Sequence, residues 1–395
     1  MKVTFVVPSL DLGGGVRVVF EYANRLTERG HEVSIVYPLT PSSMKPGLSI
    51  ASLIKRMGYT ALKTIRGNEV NWFDVKAKIV RIPTINPSSI LNIEHLVPDA
   101  DVIIATAWET AYFVNNLNNR KGKKFYFIQH YEIWDIWNDD RCWELAEKIE
   151  SDPNRLCLAM HDIHPEDEYS QKVKDLVDAT YVMPLHKITI SSWLKELIED
   201  KFGAKVDATI INGINTEIFY SNKTKSKKNI TVLMPYRPMI WKGTADGIKA
   251  LETVKRKYPK TEIRLYGSEI DQNLSKWAVF YENPSDDDLR ALYSSSDIFV
   301  LPSFVEGCQL PPMEAMACGC AVVATNVGGV PDYAIDGKTI LASPPRRPEL
   351  LVKNIMRLIE NEDKRVSIAR SGYEHIQQYT WERATDQFEE ALKNA

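Results

Sequence analysis

Four charged side chains and one histidine in this chain stand where chemistry could be done. Glu306 and Glu314 lie in the run PSFVEGCQLPPMEAMACG, residues 302–319. A strand-like run ends at Leu301, a turn containing Gly307 follows, and a helix then holds Glu314 in its first turns. Such a turn aims backbone N–H groups and a positive helix end at an anion, a diphosphate for example, or at sugar hydroxyls. Carboxylates accept well from sugar and ribose hydroxyls. The alternative for both glutamates is a solvated place beside a strand–helix turn. Arg237 and Lys242 follow the apolar run ITVLMP in the segment PYRPMIWKG. Two fixed cations there could meet charge developing on a leaving phosphate; the alternative is a pair of surface cations, the usual fate of Lys and Arg. Their place after a strand and the Trp241-Lys242-Gly243 turn favour the first reading. His130 ends KFYFIQH, at the carboxyl edge where parallel α/β sheets bind ligands. A structural hydrogen bonder is the alternative for it.

The elements that must position these residues form a repeating pattern. Residues 3–8 read as a strand, residues 11–15 as an Asp- and Gly-containing turn, and residues 16–29 as a helix with Val18, Val19, Tyr22 and Leu26 on one face. Residues 31–37 read as the next strand, which makes a β-turn-α-β unit. Further strands are expected at 78–83, 101–106, 124–130, within 180–192, and at 207–211. The polar run 221–229 (SNKTKSKKN) reads as a linker. A second series of strands follows at 230–237, 260–266, 277–281, 297–301 and 321–325. This alternation predicts an α/β chain of two Rossmann-like domains facing across a cleft. The domains are placed at 1–215 and 216–380.

The 395 residues, 44% of them hydrophobic, suffice for two cores. A net charge of −3 argues against a nucleic-acid partner. Five cysteines, Cys142, Cys157, Cys308, Cys318 and Cys320, form an odd and sparse set that reads as reduced thiols of a cytoplasmic protein. The N-terminal apolar run reads as a strand and not as a signal peptide, and no run reaches the roughly 18 apolar residues of a membrane span. Charge is uneven along the chain: residues 41–90 hold eight Lys/Arg against two Asp/Glu, and residues 131–180 hold fourteen Asp/Glu against five Lys/Arg. Within the first stretch, residues 50–66 predict a helix with Ile50, Leu53, Ile54, Met57, Ala61 and Ile65 on one face. Lys55, Arg56, Lys63 and Arg66 lie on the other, so this helix either docks on the core or makes a peripheral membrane contact at the inner face. His161, Asp162, His164 and Glu166 lack the spacing of a metal site. Asp286, Asp287 and Asp288 precede a helix and read as N-capping residues.

The segment 302–332 resembles the Glu-x7-Glu block of retaining glycosyltransferases of family 4. Arg237 and Lys242 match that family's cationic pair. NGINTEIF, residues 212–219, resembles its turn into the second domain, and Gly13–Gly15 followed by Arg17 matches its N-terminal glycine loop. QHYE is also similar to a branch that includes bacterial rhamnosyltransferases using dTDP-linked donors. The resemblance implies a GT-B fold whose last helix, 381–395, returns to the first domain. It implies transfer of a hexosyl or deoxyhexosyl unit from a nucleoside-diphosphate sugar to a glycan or lipid-linked acceptor in polysaccharide biosynthesis, with no cofactor and no metal. Arg237 and Lys242 would neutralise the diphosphate, and Glu306 would hold sugar hydroxyls. Backbone amides of Cys308, Gln309 and Leu310 would face the sugar and phosphate. Glu314 would bind the ribose, the backbone near Tyr281 the base, and Gly14 and Gly15 would let the chain approach the diphosphate. His130 would stand near the donor sugar. The family has no agreed nucleophile, which implies same-face displacement with the leaving phosphate taking the acceptor's proton. A nucleotide-sugar epimerase or hydrolase on the same fold, and a non-catalytic binder of sugar nucleotides, are the competing classes.

Overall fold

The computed structural model describes the chain except residues 41–69, 71, 222–228, 270, 272 and 273. The expected 50–66 helix and most of the expected 221–229 linker lie outside the described residues.

Seven strands make the first sheet: β1 (Lys2–Val6), β2 (Glu32–Pro38), β3 (Lys78–Ile82), β4 (Val102–Ala105), β5 (Lys123–Ile128), β6 (His186–Thr189) and β7 (Ala208–Thr209). Six make the second: β8 (Thr231–Pro235), β9 (Glu262–Gly267), β10 (Val279–Glu282), β11 (Ile298–Leu301), β12 (Ala321–Thr325) and β13 (Leu341–Ser343). Their spatial orders are β3-β2-β1-β4-β5-β6-β7 and β10-β9-β8-β11-β12-β13. Pairing is parallel throughout both sheets. The first sheet therefore reverses direction between β1 and β4, and the second between β8 and β11. In a doubly wound sheet, ligands bind outside the carboxyl ends of the strands at that reversal. These are two Rossmann-like α/β domains, as the sequence predicts.

Burial explains why these runs become central strands. On the second sheet, Leu233, Phe299, Leu301, Val322 and Ala324 face one core. Val232, Met234, Ile298, Val300 and Val323 face the other. Successive side chains alternate faces, and both faces are covered by helices, so these strands are apolar at consecutive positions. The five residues of β12 are all buried for this reason.

The chain divides into two compact units. One comprises Met1–Ile133, His164–Ile210 and Trp381–Ala395, and the other Trp134–Ile163 and Ile211–Thr380. The sequence reading assigned 1–215 to the first domain. The structure differs: Trp134–Ile163, part of the acidic segment 131–180, packs with the second unit.

In the first unit the helix Gly14–Glu28 buries Val18, Val19, Tyr22 and Leu26. The C-terminal helix Trp381–Asn394 lies against it. Tyr22 stacks on Phe388 at 4.4 Å and meets Trp381 edge-on at 5.4 Å. Arg29 bridges Asp386 at 2.7 Å and Glu389 at 3.3 Å. Lys393, with Arg29 and His31, holds the Glu389 carboxyl down at about 2 from an ordinary 4.5, against the opposing pull of burial. A carboxylate with a lowered folded-state pKa stabilises the fold above its unfolded value and loses that contribution as pH falls toward the folded one. The melting temperature of Glu389→Gln should therefore lie below wild type at pH 7, and the gap should close as the pH is taken below 4 toward about 2. A gap that stays constant over this range would mean the carboxylate is not what holds the helix.

Two local expectations are corrected. The helix after β1 starts at Gly14, so Gly14 and Gly15 form its first turn and only Gly13, in extended backbone, precedes it. Asp286–Asp288 do not precede their helix but begin it; Ser285 is the N-cap and Asp288 closes the capping box. The strand expected within 180–192 is present as His186–Thr189, after a helix that runs on to Tyr181.

Candidate active site

The two loops that leave the second sheet at its reversal carry the cations and the first glutamate. After β8, the Arg237 N–H donates to Thr244 Oγ1 at 3.2 Å, and that hydroxyl donates back to the Arg237 carbonyl. The guanidinium lies 5.7 Å from the Tyr266 ring centroid, a cation–π arrangement over the neighbouring strand β9. Lys242 ends a single turn, Ile240–Lys242, and Gly243 follows it in left-handed backbone at φ 61°.

After β11, Glu306 receives both other groups. Lys242 Nζ donates to Oε1 and Oε2 at 2.8 and 2.9 Å, and Ser303 Oγ donates to Oε1 at 2.8 Å. The ammonium and carboxylate side chains are 24% and 16% exposed, so the pair is partly shielded yet open to a solute. Ser303 carried no signal of its own in the sequence, although it lies three residues before Glu306 and on the same turn.

Glycines allow the loops to meet. A Cβ at Gly243 would overlap the Pro302 carbonyl oxygen and sit 2.7 Å from its carbon. One at Gly328, in the loop after β12, would overlap the Glu306 carbonyl oxygen and sit 2.9 Å from its carbon. The Phe304 N–H donates to the Trp241 carbonyl at 2.7 Å, which locks the β8 and β11 loops together. Lys242 and Glu306 are thus 64 residues apart in sequence and in direct contact because β8 and β11 are neighbours.

The helix Leu310–Ala317 starts at the end of this loop, with Gln309 as N-cap. Pro311 and Pro312 occupy its first turn and have no N–H to offer. The N–H groups left to meet an anion are those of Leu310 and of the preceding loop residues Cys308 and Gln309. Gln309 is 2% exposed, and among the described residues neither polar atom of its side chain has a hydrogen-bond partner. Burial pushes the Cys308 thiol up to about 12, so it is not a nucleophile at neutral pH. Glu314 is 8% exposed and accepts from the Tyr293 hydroxyl at 3.2 Å; Tyr293 and Tyr266 hydroxyls are 3.0 Å apart. Burial raises the pKa of both tyrosines, which keeps them neutral hydrogen-bond donors. Tyr281 is half-buried near the end of β10 and packs on the same core as Leu310.

The first unit holds the other candidates. Gly14 and Gly15 follow β1. Among the described residues, a Cβ on Gly14 would meet nothing within 4 Å outside its chain neighbours and its own helix backbone, and one on Gly15 would lie 3.4 Å from the Gln129 side chain. His130 follows β5 and is 9% exposed. Its Nδ1 lies 2.9 Å from the Tyr131 carbonyl oxygen. A carbonyl can only accept, so Nδ1 is the donor of this contact. The residues after it have local duties: Tyr131 donates to Asp178 at 2.6 Å, and Glu132 accepts the Trp108 N–H at 2.7 Å. Glu132 thereby caps the helix Trp108–Asn116.

The remaining sequence candidates gather no further site. His161 pairs with Asp162 and His164 with Gln171. Among the described residues, no group of three or more His, Cys, Asp or Glu is placed to hold a metal, and no helix is long and apolar enough to cross a membrane.

Residues 215–375 match the family model of glycosyl transferases, group 1. The match takes in less than half of the chain. That match contains Arg237, Lys242, Glu306 and Glu314. The chain is 32% identical over 117 residues to an O-antigen chain mannosyltransferase of Escherichia coli, 30% of each chain. It is 32% identical over 152 residues to a sulfoquinovosyl transferase of Arabidopsis thaliana, covering 36% of this chain and 30% of that one. It is 33% identical over 108 residues to a D-inositol 3-phosphate glycosyltransferase of Corynebacterium aurimucosum, covering 27% of this chain and 26% of the relative. The chain thus spans only about a third of the length of these curated relatives. Over its whole length it resembles a sucrose-phosphate synthase from Thermosynechococcus elongatus, with a TM-score of 0.71, 16% identity and coverage of 99% and 98%. It also resembles the Anabaena protein HepE, solved with UDP-glucose, with a TM-score of 0.69, 16% identity and full coverage of both chains. At such identities these likenesses speak to fold, and the fold is GT-B.

Proposed function

We propose that the chain is a retaining glycosyltransferase that needs no metal. It moves a hexosyl or deoxyhexosyl unit from a nucleoside-diphosphate sugar to a glycan or lipid-linked glycan. The observation that carries this reading is the Lys242–Glu306 contact, braced by Ser303, at the reversal point of the second sheet. An ammonium held there by a carboxylate is a charge fixed in advance of the reaction. Arg237 and Lys242 oppose the diphosphate and stabilise it as the glycosidic bond breaks. Glu306 accepts from hydroxyls of the transferred sugar, and the amides of Cys308, Gln309 and Leu310 face its phosphate end. Glu314, already an acceptor for Tyr293, takes the ribose hydroxyls. The backbone by Tyr281 meets the base, and Gly14 and Gly15 leave room for the phosphates. His130 serves the sugar. No carboxylate stands as an assigned nucleophile, so the acceptor oxygen attacks on the face the phosphate leaves. Its proton passes to the departing phosphate oxygen.

The experiment is a panel of UDP-, GDP-, dTDP- and ADP-sugars incubated with the enzyme in EDTA, with release of nucleoside diphosphate followed by chromatography. One donor is expected to be turned over slowly in water and faster with acceptor. Its nucleoside diphosphate alone should raise the melting temperature by binding the folded state. Complete dependence on added magnesium or manganese, or binding of every donor with no turnover under any acceptor, would overturn the proposal. Release of free epimerised sugar would assign the epimerase class instead.

A further inference from the structure

The stretch Trp134–Ile163 sits in the sequence between β5 and β6 of the first sheet, yet it packs in the second unit. What it touches there is specific. The Ile240 N–H donates to Asn138 Oδ1 at 2.9 Å. The Trp134 and Trp241 rings pack at 5.6 Å with 37° between their planes. Ile240 and Trp241 are the two residues before Lys242. Further along, Trp143 meets Phe304 edge-on at 5.4 Å. Phe304 is the residue after Ser303 and two before Glu306. Trp143 is itself fixed: its Nε1 donates to the Trp137 carbonyl at 2.9 Å, and both rings are fully buried.

Charge fastens the same stretch. Arg346, in left-handed backbone at φ 58°, bonds Asp140 at 2.6 Å and lies 5.4 Å from the Phe304 ring centroid. Arg347 bonds Glu147 at 2.9 Å. The acidic surplus noted in this part of the sequence is thereby partly answered by two arginines from the loop after β13.

We infer that Trp134–Ile163 is a positioning strap for the Lys242–Glu306 pair, with Trp134 and Asn138 bracing the β8 loop and Trp143 the β11 loop. The inference rests on the proposed role of that pair. Neither Asn138 nor Trp143 touches the reacting groups; each acts through the residue next to them. A strap of this kind sets the position and alignment of the ammonium, and misplacement near 1 Å is enough to cost about 100-fold in rate. It also means that a segment between two first-sheet strands helps build the second unit's site.

The test uses the full chain with Asn138→Ala and Asn138→Asp. Asn138 is exposed, so neither change opens the core. Asn138→Ala removes the acceptor for the Ile240 amide, and Asn138→Asp keeps one. Two readouts are taken: hydrogen–deuterium exchange of peptides covering 238–245, and steady-state kinetics on the donor found above. Asn138→Ala should speed exchange at 240–243 by about tenfold, the loss of one hydrogen bond. It should lower kcat by about tenfold or more while leaving the donor KM nearly unchanged, since transition-state alignment is lost and uniform binding is not. Asn138→Asp should restore both. The strap reading fails if exchange at 240–243 is unchanged in Asn138→Ala, if exchange rises with kcat intact, or if the loss lies in KM alone. Should the wild-type chain turn over no donor at all, the proposed function falls, while the exchange data still decide whether the strap holds the loop.

Discussion

Lys242→Ala is expected to slow release of nucleoside diphosphate from the donor by about 100- to 1,000-fold, the usual cost of removing one preorganised electrostatic group. The melting temperature should change little, because the Lys242 side chain is a quarter exposed and supports no core. The size follows from the proposed division of labour, in which the diphosphate's charge is met by Arg237 and Lys242. Lys242→Arg keeps the charge but replaces a compact ammonium with a planar fork, so it should fall between wild type and Lys242→Ala. The contact with Glu306 raises a second possibility, that Lys242 works only by holding the carboxylate in place. A double-mutant cycle with Glu306→Gln separates the two. If Lys242 acts on the diphosphate itself, Lys242→Ala should cost a large factor in the Glu306→Gln background too. If it acts only through Glu306, the second substitution should add nothing. Wild-type turnover in Lys242→Ala would end the assignment of this site.

Much of the second unit was legible because its strands are buried on both faces. Runs such as AVVAT and DIFVLP are apolar at consecutive positions, and turn residues bound them. The shorter β13, Leu341–Ser343, escaped because three residues carry no period. The helix at Gly14 was hidden by glycine itself, the weakest helix former after proline; here the first turn accepts it. Individual site residues were legible by type. Their partnership was not: the Lys242–Glu306 contact depends on β8 and β11 being neighbours, which the order of strands in sequence does not state. The placement of Trp134–Ile163 was equally hidden. A tryptophan announces burial but not the core it enters, and Trp143 enters the core beneath Phe304. The acidic composition of that stretch was visible, whereas the arginines that answer it lie about 200 residues away.

Gly243→Ala should destabilise the fold more than a methyl added to an equally left-handed glycine in open space. Two costs add there. The backbone at φ 61° is left-handed, which costs a non-glycine residue about 1–2 kcal/mol. The added Cβ would overlap the Pro302 carbonyl, and backbone cannot swing aside as a long side chain can, so overpacking adds about 1–3 kcal/mol. Gly337→Ala is the control: its φ is 73°, yet a Cβ there would meet nothing within 4 Å. It should show the conformational cost alone. The excess loss in Gly243→Ala over Gly337→Ala, read by denaturant or thermal unfolding, therefore measures the close approach of the β8 and β11 loops. That approach is also what brings Lys242 to Glu306, so turnover should fall with stability in Gly243→Ala and persist in Gly337→Ala. Equal destabilisation by the two substitutions would mean that the loops part without penalty, and that the site does not rely on their contact.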